Sequence, residues 1–142
     1  MSIGFDADLR NNRALVIVAA IDAGADEYAS GHLLIYSGDR PATGGEVDEY
    51  DNELLVDFFL PFPCGTVSNG VLTFNAIEDA VAVASGTAVW ARITDADDNF
   101  VMDLSVTETG GSGDVQVDSI GAEITDEATI CCTVATLTEG NV

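Results

Sequence analysis

The sequence predicts a mainly β protein: an antiparallel β-sandwich or small barrel preceded by a single α-helix. Three observations predict it. Only residues 6 to 23 place apolar side chains at helical spacing. From Gly31 onward, short runs rich in Val, Ile, Thr and aromatics alternate with Gly, Pro, Asn and Asp turn signals. No internal repeat, linker or composition break divides the 142 residues, a length that suits one domain. The expected organisation is therefore one β-rich domain over 1–142, with a helical segment at 1–24 and the β-sandwich at 31–138.

Asp6 can cap the helix, and Leu9, Arg13, Val16, Ile17, Ala20 and Ile21 follow a spacing of three and four. Gly24 supplies a stop. Val16, Ile17 and Val18 are β-branched and stiff, so this helix needs a packing partner rather than propensity alone.

The strands follow in order. His32–Tyr36 ends in Ser37-Gly38-Asp39, and Glu53–Leu60 is closed by Pro61 and Pro63, which cannot sit in a central strand. Asn69-Gly70 is a turn signal ahead of Val71–Phe74. Thr87–Thr94 and Phe100–Val106 flank the polar turn 95–99 and form the clearest hairpin, with Trp90 expected in or beside the core. The loop 110–113, Val115–Val117 and a last strand at 128–137 complete the set.

Charge narrows the function. There are 25 acids against four arginines (Arg10, Arg13, Arg40, Arg92) and no lysine, a net charge of −21. Duplex nucleic acid is excluded as a partner, because binding needs cations along the phosphates. Anionic membranes are disfavoured for the same reason, and copies of the chain repel unless salt screens them. The apolar run Ala14–Ile21 is eight residues long, too short to span a bilayer. The start of the chain lacks the basic region of a signal peptide, and three cysteines (Cys64, Cys131, Cys132) without CxxC spacing read as reduced packing residues. Synthesis in the cytoplasm is expected.

Candidate sites are few. The stretch "IYSGDRPATGG" (35–45) holds three glycines and an arginine, but it runs into the acidic 46–51 and lacks a phosphate-binding lysine. It reads as a turn in which Gly44-Gly45 swing the chain outward. Asp95-x-Asp97-x-Asn99 matches half a calcium loop, yet Phe100 and Val106 stand where glycine and glutamate are required. The acids Glu46, Asp48, Glu49, Asp51 and Glu53 read as a solvated flank. His32, the single histidine, has no nucleophile elbow or oxyanion motif for company, and no spaced cysteine pair with which to hold zinc. No catalytic, cofactor or metal residue is assigned.

Several motifs occur in an order that resembles a family of small virion proteins of tailed bacteriophages. They are Leu34-Ile35-Tyr36 with Gly38 and Arg40-Pro41-Ala42-Thr43-Gly44-Gly45, then 70–77 (GVLTFNAI), then 84–90 (ASGTAVW) with Arg92. Asp95-Ala96-Asp97, Phe100-Val101-Met102-Asp103 and the ending Thr138-Glu139-Gly140-Asn141 are similar too. The likeness covers most of residues 9–142. It departs in acidity and in Asp98, where a hairpin glycine is usual. The resemblance implies a non-enzymatic structural part of the particle with a β-rich fold, and it brings no site residues.

Within a particle, a compact acidic chain suits a capsid decoration (cement) protein on the outer shell. Its expected partner is the major capsid protein or another virion protein, and a homo-oligomer such as a trimer is the expected state. A tail tube or tail-completion protein is the alternative in the same class; a calcium-tuned binding or adhesion module and an acid–base enzyme are alternatives outside it. The expected contact residues are Arg10, Arg13, Val16 and Ile17 on the helix, with Arg40. Two arrangements of that helix stay open: docked on a partner, or covering its own sheet with both arginines paired to local acids.

Overall fold

A computed structural model describes residues 4–26 and 30–138. Helix α1 (Ala7–Ile21) starts where the side chain of Asp6 accepts a bond from the Asp8 N–H at 3.0 Å. Ala14 and Ile21 are buried and Ile17 and Val18 half-buried, which lays this side of α1 on the strands β3 (Gly65–Ser68) and β4 (Val71–Phe74). The chain then leaves the helix through Gly24 at φ +75°.

The other strands are β1 (His32–Tyr36), β2 (Leu54–Phe59), β5 (Ala80–Val81), β6 (Gly86–Thr87), β7 (Trp90–Thr94), β8 (Phe100–Glu108), β9 (Val115–Val117), β10 (Glu123–Ile124), β11 (Thr129–Ile130) and β12 (Cys132–Thr138). Eight of them form one curled sheet in the order β2-β1-β7-β8-β9-β12-β4-β3, while β6–β10 and β5–β11 make two small ribbons. Every pairing is antiparallel except β8 with β9, which is parallel. The fold is mainly β with one helix, as the pattern of turns and short runs predicts.

Alternation sorts the side chains. Leu33 and Ile35 of β1, Phe58 of β2, Ile93 of β7 and Val115 and Val117 of β9 meet in the core. His32, Leu34 and Tyr36 point to the other face, beside Thr94, Arg92 and Trp90 of β7. All five β7 residues are buried, so both faces of this strand are covered. Trp90 is 1% exposed, in line with its expected place on the hairpin.

Three expectations need correction. Strand β3 carries too little apolar character to be expected, but Asn69 (φ 51°) and Gly70 (φ 74°) form the two-residue turn that pairs it with β4. The run 87–94 is interrupted: Ala88 bonds to Ala122, and Val89 bridges Tyr36 and Val106, before β7 begins. The run 128–137 breaks at Cys131, whose backbone exchanges bonds with Asp118.

Candidate functional site

Segment 37–53 folds over the outer face of β7 and β8, and two features hold it there. Asn52 is buried, and its Nδ2 donates to the carbonyls of Ser37 (3.1 Å) and Asp39 (2.8 Å). Gly38 sits at φ +77° with the Asp51 carbonyl where a Cβ would stand, so no other residue fits. Farther along, Gly44 lies over the Phe100 ring and its N–H donates to Asp103 Oδ2 at 3.2 Å. The glycines of the "IYSGDRPATGG" stretch thus bring the chain inward over the sheet. The outward swing expected from sequence is corrected: a side chain at Gly44 would press on the aromatic ring.

Beneath this cover, Arg92 holds Asp103 in a bidentate pair, Nε to Oδ1 at 2.8 Å and Nη2 to Oδ2 at 3.1 Å. The two side chains are 11% and 1% exposed. The guanidinium lies 5.3 Å from the Trp90 ring centre and 5.0 Å from that of Phe100, and Tyr36 stacks on Trp90 at 4.6 Å. Burial raises the Tyr36 pKa, with Arg92 acting against it. Arginine suits this place because its planar fork matches a carboxylate and its faces match aromatic rings.

Neighbouring acids are spent locally. Both Asp95 oxygens are used by their own turn, accepting from the N–H groups of Asp97 and Asn99 and from Asn99 Nδ2 at 2.9–3.1 Å. The Asn99 N–H holds this carboxyl below its usual range. Asp98 stands at φ 65°, a glycine-like position that completes the turn. Asp39, Glu46, Asp48 and Asp51 line an open hollow with Arg40. Among the described residues, no group of three His, Cys, Asp or Glu side chains is placed to hold a metal.

His32 Nδ1 meets Asp57 Oδ1 at 2.8 Å, and the ring lies 4.9 Å from that of Phe59. Thr94 faces His32 across β1 and β7, so Asp57, His32 and Thr94 cross three adjacent strands. The Thr94 hydroxyl is buried without a hydrogen-bond partner, and His32 hands it nothing. All three thiols are free. Burial first, then Asp22, pushes Cys64 up to about 12, and burial pushes Cys132 up to about 12. The Cys64 N–H donates to the Asp22 carboxylate at 3.2 Å and so ties the end of α1 to the start of β3.

The contact residues expected from sequence separate into different places. Val16 is 68% exposed on the outward side of α1, together with Leu15 at 50% and Leu9 at 46%. Ile17 instead packs against the core, because it sits on the side of the helix that faces β3 and β4. The Arg10 guanidinium lies against Gly70, and that of Arg13 is 4.9 Å from the Phe5 ring. Arg40 is exposed among the acids of the 38–52 loop, away from the helix face.

A wider signal is present that the motif search did not use. Leu9–Ile21 contains no acid, while 58–77 and Cys132–Thr138 contain no charge of either sign. The fold assembles these stretches, since α1 lies on β3 and β4, and β4 pairs with β12. One end of the sheet therefore carries only the helix arginines, and the acids belong to the rest. Comparison with protein-family models, with curated proteins and with solved structures finds no match. What the site offers is thus argued from its residues: an apolar, acid-free end on an otherwise anionic molecule.

Proposed function

We propose that the chain is a non-enzymatic structural component of a tailed-phage particle, a capsid decoration (cement) protein seated on the outer shell. The observation that carries this reading is the polarised surface. The eight residues Ala14–Ile21 are all apolar, but only one side of the helix lies on its own strands. Leu15 and Val16 face outward, and a helix that is apolar all round calls for cover on both sides. A decoration protein needs that division: one anchoring face and a solvated remainder.

The chemistry of the rest agrees. Arg92 with Asp103 and Asp95 with its own turn are satisfied internally, and the remaining acids keep the solvent side soluble and repel nucleic acid. Both arrangements foreseen for the helix are combined here, since it covers its own sheet and presents a second side to a partner. In this reading the partner is the major capsid protein, and the chain is made in the host cytoplasm and ends in the virion.

Mass spectrometry of purified particles tests the proposal, with a cryo-EM map to locate the density. The expected result is a stoichiometric component on the shell, lost from particles by Val16→Asp while the fold persists. Absence from purified particles would overturn it.

A further inference from the structure

We infer that copies of this chain join head to tail, the acidic loop 46–51 of one copy seating Tyr50 against the outward side of α1 on the next. The inference rests on the structural reading above and names a partner for its exposed helix.

Tyr50 is 99% exposed, so it packs on no part of its own chain. It is nevertheless held in place. The Asp48 carboxylate accepts from the Tyr50 N–H at 2.9 Å, and the Asp48 carbonyl accepts from the N–H groups of Asp51 (3.1 Å) and Asn52 (2.7 Å). The base of the loop is pinned by buried Asn52. A rigidly presented aromatic of this type is a common interface anchor, because little freedom is lost when it is covered.

Charge selects where it goes. Residues 46–53 hold Glu46, Asp48, Glu49, Asp51 and Glu53 with no cation, whereas Leu9–Ile21 holds two arginines and no acid. Loop against loop sets acids against acids, and helix against helix brings arginines together. Only the crossed pairing joins opposite signs. At physiological salt the screening length is ~8 Å, so the repulsion between whole molecules is damped while contacts at the interface still act. The geometry is heterologous, and repetition of it gives a ring or an open array rather than a closed two-fold dimer.

Complementary variants test this by sedimentation at physiological salt. Arg13→Glu with Val16→Asp spoils the helix face and leaves the loop intact; Glu49→Arg with Tyr50→Ala does the reverse. All four positions are exposed, and circular dichroism verifies each fold. The wild-type mass is expected to rise with concentration beyond a dimer. Each double variant alone stays monomeric, and their equimolar mixture forms a dimer that does not grow. The milder Arg13→Gln and Glu49→Gln each weaken wild-type association, which secures the test if a double variant misfolds. A wild type that stays monomeric, or a mixture of folded variants that does, overturns the inference. Self-association of either folded double variant equal to wild type overturns it as well. A monomeric protein still found on particles would leave the decoration reading standing and give the helix face to the shell alone.

Discussion

The two ends of the eight-stranded sheet handle charge in opposite ways. Around β7 and β8 an arginine and an aspartate are buried together, stacked between rings and closed over by the 37–53 segment. Around β3, β4 and β12 the strands carry no charge, and cover comes from a helix that is apolar on both sides. At the first end polar chemistry is consumed internally; at the second, apolar surface is left over. Net charge is therefore a poor description of this molecule, because −21 is an average over an anionic body and a neutral-to-cationic end.

The contrast is broken most forcefully at the buried pair. Asp103→Ala strands the Arg92 charge under the loop and should cost about 3–5 kcal/mol in denaturant unfolding. Replacing both partners by Leu should recover most of that loss, because an apolar pair of similar volume leaves no buried charge uncompensated. A single-variant cost below about 1 kcal/mol would mean that water reaches the pair. Trp90→Ala, next to it, should cost a similar 3–5 kcal/mol.

Substitutions on α1 sharpen the other side of the comparison. Ile21→Ala should cost about 2–5 kcal/mol, since its side chain is fully buried. Val16→Ala, five residues earlier on the outward side, should stay within about 0.5 kcal/mol. Equal costs at the two positions would mean that α1 does not lie as described. Loss of the helix cap in Asp6→Ala should cost about 1 kcal/mol.

How much of this was legible in the sequence divides along physical lines. The helix and its cap, β1, β4, β9 and the burial of Trp90 follow from periodicity and turn chemistry, which are local. Strand β3 was not legible because Gly65-Thr66-Val67-Ser68 has hardly any apolar pattern, and its pairing comes from the Asn69-Gly70 turn and the helix above it. The inward fold of the 37–53 loop was hidden as well. It depends on Gly44 meeting Phe100 and Asp103, contacts across more than fifty positions of sequence. Of the expected contact residues, Val16 could be separated from Ile17 only once the buried side of α1 was known, and Arg40 had no spacing that tied it to the helix. The uncharged stretch 58–77 was in plain view, but only the fold joins it to α1.

A smaller effect should appear with pH. The hydrogen bond from the Asn99 N–H leads the causes that lower Asp95 below 3.8, so the folded state favours its charged form. Its contribution is present above the unfolded value and is lost as pH falls through the lowered one. Asp95→Asn should therefore differ from wild type at neutral pH, and the gap should close in acid. A gap that widens in acid would contradict the turn assignment.

The most direct test of the polarised surface is oxidative footprinting of the purified protein, dilute and concentrated, with Ile120 and Val83 as controls that are 91% and 60% exposed. Leu15, Val16 and Tyr50 are expected to lose reactivity together on concentration, while Ile120 and Val83 keep theirs. Unchanged reactivity at Val16 and Tyr50, or an equal loss at all five positions, would contradict the account.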